Sequence, residues 1–134
     1  MNSPAVLDAS AMLALIDEEP GHEAVEAVMP GALLCAVNLA EVVSKLAERG
    51  MPADRAQAVA LALGPRIVEF DTTLAEIAGA LRPLTRSKGL SLGDRCCLAL
   101  AKQRNGTALT TERVWQDVAS VIGVSVRNIR PQSA

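Results

Sequence analysis

Residues 32–50 read ALLCAVNLAEVVSKLAERG, and this stretch joins the two patterns that decide the fold. Its first six residues are all apolar, as expected for a strand that is buried on both faces of a parallel sheet. Apolar residues then recur at the spacing of one helix face, and that pattern ends at Gly50. The stretch therefore predicts a buried strand that leads into an amphipathic helix.

The same alternation runs along the rest of the chain. Four more short runs predict strands, at residues 5–8, 66–70, 107–110 and 124–129. Helical patterns cover residues 10–18, the stretch after Gly21, and residues 52–64, 72–87 (disturbed at Pro83), 92–104 and 112–122. Alternating strands and helices predict a three-layer α/β/α fold with a central, mostly parallel five-stranded sheet. A length of 134 residues fits a single domain over residues 1–134.

The composition excludes several classes of protein. No uninterrupted apolar run is long enough to span a bilayer, and the first residues lack the pattern of a signal peptide. Cys96 and Cys97 are adjacent, a poor geometry for pairing, so we expect a protein of the reducing cytoplasm with no membrane association. His22 is the only histidine, which argues against zinc sites and paired-histidine chemistry.

The charge is unevenly distributed, although the net charge is only −2. Residues 1–44 contain seven acids and no Lys or Arg, whereas residues 82–104 carry six basic residues and one acid. The basic segment fits either a surface that faces phosphates or an ordinary solvated helix face. Phe70 and Trp115 are the only aromatic residues, which argues against a base-stacking platform. Any nucleic acid would be bound mainly through its backbone.

Four acidic residues fall where predicted strands end or where the following helices begin: Asp8, Glu41, Asp94 and Glu112. Because the carboxyl ends of parallel strands meet at one edge of a sheet, we expect these side chains to converge there. Converging carboxylates repel one another, and bound divalent cations relieve that repulsion. Mg²⁺ and Mn²⁺ prefer oxygen ligands, so the four acids predict a metal site.

Helix capping is the competing interpretation of the same acids. Asn38-x-x-Glu41 and Ser91-x-x-Asp94 both have the spacing of a capping box, in which an acid and a polar residue satisfy free backbone N–H groups. Asp8 would cap a helix that starts near Ser10. The two interpretations are compatible, because helix N-termini also soften repulsion within an acidic cluster.

Four segments, in this order and spacing, resemble the PIN-domain ribonucleases, specifically the VapC-like toxins of bacterial toxin–antitoxin pairs. The segments are VLDASAML at residues 6–13, VNLAEVVSKLAERG at 37–50, LSLGDRCCLALA at 90–101 and ALTTERVW at 108–115. The resemblance implies that Asp8, Glu41 and Asp94 form an acidic metal site, and that Ser10, Asn38 and Thr110 support it. Family members usually have Thr-x-Asp where this chain has Thr110-Thr111-Glu112. The fourth acid is therefore Glu112 or, as the alternative, Asp117.

The resemblance also implies a chemistry and a set of partners. The implied reaction is Mg²⁺-dependent hydrolysis of RNA phosphodiester bonds, with Mn²⁺ as a possible substitute. The implied partners are a cognate small DNA-binding antitoxin and a second copy of the chain in a homodimer. From the residues themselves, Arg95 is expected to form a salt bridge with a nearby carboxylate or to contact the scissile phosphate, and Trp115 is expected to pack in the core.

Other functions fit the sequence less well. A phosphoaspartyl phosphatase of the haloacid-dehalogenase type would have a second aspartate two residues after Asp8, where this chain has Ser10. A receiver-like phosphoacceptor domain would need an acidic pair near the end of the first strand and a later strand-end lysine. A catalytically weak PIN-like module that binds RNA or protein stays open, because Glu112 departs from the family pattern.

Overall fold

The computed structural model describes residues 3–131, which form five strands and eight α-helices. The strands are β1 (Ala5–Leu7), β2 (Leu33–Cys35), β3 (Arg66–Val68), β4 (Thr107–Thr110) and β5 (Ser125–Asn128). The helices are α1 (Ala9–Ile16), α2 (His22–Val28), α3 (Ala36–Glu48), α4 (Ala53–Ala62), α5 (Thr72–Ala80), α6 (Arg82–Thr85), α7 (Leu92–Arg104) and α8 (Gln116–Ile122). Two 3₁₀ helices, Arg86–Lys88 and Arg113–Trp115, precede α7 and α8.

The five strands pair in the order β3-β2-β1-β4-β5, and every recorded pairing is parallel. Val6 of β1 stands opposite Leu33 on one side and Ala108 on the other. The chain builds β2 and β3 to one side of β1, then crosses back to place β4 and β5 on the other side. The strand order thus reverses at β1, and ligands of such sheets bind at this kind of switch point, beyond the carboxyl ends of the strands.

The two faces of the sheet carry separate apolar clusters. On one face Val6 and Cys35 pack with buried side chains of α5, α7 and α8. On the other face Leu7 and Leu34 pack with buried side chains of α1, α2, α3 and α4. Neighbouring residues of a strand point to opposite faces, so each central strand must be apolar throughout. The predicted three-layer α/β/α fold is confirmed.

The helix boundaries follow local chemistry. The helix predicted over residues 72–87 is broken into α5, α6 and a 3₁₀ turn, because Pro83 lacks an N–H and is tolerated only in a first turn, which it occupies in α6. The helix predicted over residues 112–122 starts instead with the 3₁₀ turn Arg113–Trp115. Within residues 3–131 no helix is long and apolar enough to cross a membrane. The cysteines are free and buried, as core residues.

Candidate active site

The four predicted acids line one pocket of about 320 Å³ at the carboxyl edge of the sheet. Its lining residues are Asp8, Ala9, Ser10, Leu13, Glu41, Ser44, Lys45, Asp94 and Glu112. Asp8 enters from the end of β1, Glu41 from α3, Asp94 from the start of α7, and Glu112 from the turn after β4. The topology therefore brings together residues that are more than 100 positions apart in the sequence.

Asp8 is the most constrained of the four acids. It is only 4% exposed, and both of its oxygens are hydrogen-bonded. Oδ1 accepts from the Ala11 N–H at 2.8 Å, so Asp8 also caps α1. Ser10 Oγ lies 2.7 and 2.8 Å from the two oxygens, and Thr110 Oγ1 donates to Oδ2 at 2.7 Å. These contacts fix the direction in which the Asp8 carboxyl faces.

Burial raises the pKa of Asp8 from its ordinary 3.8 to about 7, and the hydrogen bonds from Thr110, Ser10 and Ala11 offset only part of this rise. A raised pKa means that the folded protein holds a proton that the unfolded chain releases. The stability of the metal-free fold therefore falls as the pH rises from 3.8 to about 7. A cation that binds Asp8 below about pH 7 must displace this proton.

Glu41 is held from two sides. Asn38 Nδ2 donates to Glu41 Oε1 at 2.8 Å and to the Gly93 carbonyl at 3.0 Å. A methyl group on Gly93 would overlap the Glu41 carboxyl group, so the bare backbone of α7 is what lets Glu41 lie against it. The interpretation of Asn38 and Glu41 as a capping box is wrong, because α3 begins at Ala36 and Asn38 lies inside the helix.

Asp94 is both a cap and a wall of the pocket. Its side chain accepts from the Ser91 N–H at 2.9 Å, and its own N–H donates to Ser91 Oγ at 3.1 Å, which completes the predicted capping box at the start of α7. The same carboxyl lines the pocket with the other three acids. Partial burial raises its pKa, against the opposing effects of the Ser91 hydrogen bonds and the Arg95 charge.

Glu112 occupies the fourth acidic position in the pocket. Trp115 is fully buried, as predicted, and its Nε1–H donates to Glu112 Oε2 at 2.8 Å. Burial raises the pKa of Glu112, and the charges of Asp94 and Glu41 raise it further. Asp117, the alternative fourth acid, is exposed and lies 3.9 Å from Lys88 Nζ, outside the pocket lining.

Among the described residues the expected salt bridge of Arg95 does not form, and its alternative contact with the scissile phosphate stays a prediction. Arg95 Nη1 instead donates to the Ala78 carbonyl at 3.2 Å, because α7 packs against α5. One basic residue, Lys45, lines the pocket of the four acids among the residues that the structure describes. Its position four residues after Glu41 places it one helical turn further along α3, a relation that the sequence alone contains.

Gly93 and the indole of Trp115 support the site in ways that the sequence analysis missed. A glycine in a helix is less stable than an alanine there. The presence of Gly93 in a helical pattern was therefore a sign that another residue packs closely against its backbone. The contact of Trp115 with Glu112 left no comparable signal, because it depends on the 3₁₀ turn that brings the indole back over the strand end.

The pocket residues fit a hard divalent cation. They offer carboxylate and hydroxyl oxygens, the ligands that Mg²⁺ and Mn²⁺ take, and no basic side chain of residues 3–131 pairs with the buried Asp8. In the part of the chain that the structure describes, no three His, Cys, Asp or Glu side chains are close enough to hold a metal by themselves. Water would therefore supply further ligands, which is usual for Mg²⁺.

The sequence of the chain is similar to that of one known domain family. A family model of the PIN domain matches residues 5–121. No curated protein matches the chain.

Several solved structures share the fold. VapC20 of Mycobacterium tuberculosis, described as a sarcin–ricin loop cleaving toxin, is 18% identical with a TM-score of 0.71, over 95% of this chain and 99% of that one. A toxin–antitoxin complex from Klebsiella pneumoniae is 22% identical with a TM-score of 0.70, over 97% and 100%. DNA-bound VapBC from Salmonella typhimurium is 17% identical with a TM-score of 0.71, over 95% and 98%. At these identities the likeness shows a common fold.

Proposed function

This chain belongs to the PIN-domain family, and from that premise we propose that it is a Mg²⁺-dependent endoribonuclease that acts as the toxin of a toxin–antitoxin pair. The observation that carries the proposal is the pocket in which the buried, hydrogen-bonded Asp8 meets three more carboxylates at the switch point of the sheet. The likeness to VapC20 and to the VapBC complexes supports the choice of RNA as substrate and of a toxin role.

Asp8 and Asp94 would hold the cation, and Glu41 and Glu112 would complete its surroundings directly or through water. When bound, the cation supplies the Lewis acidity that makes water a stronger nucleophile and offsets negative charge on the phosphate. We expect Mn²⁺ to substitute for Mg²⁺, because both take oxygen ligands.

The side chains of the pocket then have separate tasks. Ser10 and Thr110 donate to Asp8 and keep both of its oxygens in place. Glu112 lines the same pocket, and its carboxylate would accept a proton from the attacking water. The water oxygen would bond to phosphorus as the bond from phosphorus to the ribose oxygen breaks, and the departing ribose oxygen would take up a proton from solvent. Glu41 on α3, held by Asn38, would orient the same water.

The experiment that tests this function is incubation of the purified protein with structured RNA, in Mg²⁺ and in EDTA. We expect discrete cleavage products with Mg²⁺ and none with EDTA. Equal cleavage under both conditions would contradict the metal-dependent mechanism. Sequencing the 5′ ends of cellular RNAs after induction of the gene would identify the target.

A catalytically weak RNA-binding module is the second candidate. It is favoured by one observation, that within residues 3–131 no three acidic, histidine or cysteine side chains form a ready-made metal cluster. The same incubation separates the candidates, because such a module would retain labelled RNA on a filter without cleaving it in Mg²⁺.

The proposed partners follow from the same likeness and from the charge of the pocket. The neighbours from Salmonella and Klebsiella are complexes of a toxin with an antitoxin, so we propose a small DNA-binding antitoxin encoded beside this gene. An arginine of that antitoxin would pair with the carboxylates and block the pocket. We also propose a homodimer and a cytoplasmic site of action, where the RNA substrate is found.

The contact between Gly93 and Glu41 leads to a specific prediction. Gly93→Ala is expected to lower the rate of RNA cleavage about tenfold, as loss of a supporting contact does at metal sites. The added methyl group displaces the carboxyl group of Glu41, which lies at the end of a flexible side chain, so the backbone need not move. The free energy of unfolding should change little. Cleavage assays and thermal unfolding of the same preparation measure both effects.

Gly79→Ala is the matched control. Gly79 also lies inside a helix, α5, but an added methyl group there meets nothing within 4 Å. We expect this variant to cleave RNA like the parent and to be slightly more stable, because alanine favours helix. Parental activity in Gly93→Ala would show that the position of Glu41 against α7 does not matter for cleavage.

A further inference from the structure

Of the residues that the structure describes, Lys45 is the one basic residue that lines the acidic pocket. It lies on α3 one helical turn beyond Glu41, is exposed to solvent, and sits beside Ser44, which lines the same pocket. A lysine at the rim of four carboxylates would ordinarily be explained as their counter-ion. The structure allows that explanation to be checked.

The expected counter-ion pair does not form. Glu and Lys four residues apart on a helix commonly interact, with the glutamate on the N-terminal side as it is here. Glu41 is instead held by the amide of Asn38 and lies against the backbone of Gly93. Among the residues that the structure describes, no carboxylate lies within ion-pair distance of Lys45. The Lys45 ammonium group therefore has no acidic partner among these residues, and the residue lines the pocket.

Three other basic side chains of the described residues have partners outside the pocket. Arg49 pairs with Asp17, and Lys88 lies beside Asp117. Lys102 Nζ donates to the Ile122 carbonyl at 2.6 Å. Lys45 differs from these in having both a free charge and a place on the pocket wall.

We propose that Lys45 binds a phosphate of the RNA backbone next to the scissile bond. This inference rests on the proposed ribonuclease function. Cations held by the four carboxylates would attract the scissile phosphate, but the same carboxylates repel the phosphates on either side of it. A lysine at the rim supplies the missing positive charge, as lysine does at other phosphate contacts. One such contact fixes the register of the strand in the pocket without reading its bases.

The test is the kinetics of Lys45→Gln, with Lys45→Arg as the conservative variant and Arg55→Gln as the matched control. Arg55 is an exposed residue of α4 outside the pocket lining, so its replacement removes the same charge at another place. The probe is an RNA hairpin labelled with a fluorophore and a quencher, cleaved in Mg²⁺ at several KCl concentrations. The Lys45 side chain is exposed, so we expect all three variants to fold.

For Lys45→Gln we expect KM to rise about three- to tenfold and kcat to change less than about twofold, because the lost contact binds ground state and transition state alike. The slope of log KM against log salt should fall by about 0.7 to 0.9, the value for one phosphate contact. Lys45→Arg and Arg55→Gln should both stay near the parent.

The possible outcomes separate this proposal from the proposed function. If the parent cleaves the hairpin and Lys45→Gln has the same KM and salt slope, the Lys45 proposal is overturned and the ribonuclease function stands. An equal rise in KM for Arg55→Gln also overturns it, since net charge alone would then explain the effect. A parent that cleaves no RNA in Mg²⁺ overturns both.

Discussion

Replacing Asp8 with asparagine is expected to lower the rate of Mg²⁺-dependent RNA cleavage by about a thousandfold, because the variant would no longer hold the cation that offsets the charge on the reacting phosphate. Asp8 is the buried acid at the switch point, and Ser10, Thr110 and the Ala11 N–H fix the orientation of its carboxyl group. Initial rates with saturating RNA and Mg²⁺ measure the effect.

The variant should remain folded, which separates loss of chemistry from loss of structure. Above about pH 7 the metal-free parent carries an unpaired buried charge at Asp8, and asparagine removes it. We therefore expect Asp8→Asn to be at least as stable as the metal-free parent at pH 8. An active, folded Asp8→Asn protein would place the chemistry outside this pocket.

The second large effect concerns the fourth acid. Glu112→Gln is expected to lower cleavage at least about tenfold, because Glu112 lines the pocket and feels the charges of Asp94 and Glu41. Asp117→Asn should stay within about twofold of the parent, since Asp117 lies outside the pocket lining and has only an exposed, 3.9 Å ion pair with Lys88. Both substitutions remove one negative charge, so each controls for the other in parallel rate measurements. The opposite ranking would mean that Asp117 serves the pocket and Glu112 does not.

The sequence alone predicted the architecture well, for physical reasons. Central strands of a parallel sheet are buried on both faces, so residues 32–37 and 5–8 stand out as continuous apolar runs. Helix α7 has a capping box at its start and Asn105, in a left-handed conformation, at its end, and both features are residue patterns that predict helix boundaries from sequence. The convergence of the acids followed from the rule that parallel strands end at one edge.

Features that depend on packing between distant segments could not be predicted in this way. Asn38 looked like a cap because its spacing to Glu41 is that of a capping box, but α3 starts two residues earlier and turns both side chains toward Gly93. Arg95 donates a hydrogen bond to the Ala78 carbonyl near the end of α5, a helix whose position relative to α7 the sequence does not specify. Lys45 has no ion pair with Glu41, because the Glu41 carboxylate already accepts a hydrogen bond from Asn38.

The measurement that tests the central claim most directly is thermal unfolding of the parent, Asp8→Asn and Asp94→Asn, each in EDTA and in millimolar Mn²⁺. If the pocket binds the cation, Mn²⁺ at a hundredfold excess over Kd stabilises the parent by about 2.7 kcal/mol and both variants much less. In EDTA we expect Asp94→Asn to be as stable as the parent or more so, because the substitution removes one negative charge and reduces the repulsion among the carboxylates. An equal Mn²⁺ response in all three proteins, with a less stable Asp94→Asn in EDTA, would contradict the account and leave Asp94 as a helix cap alone.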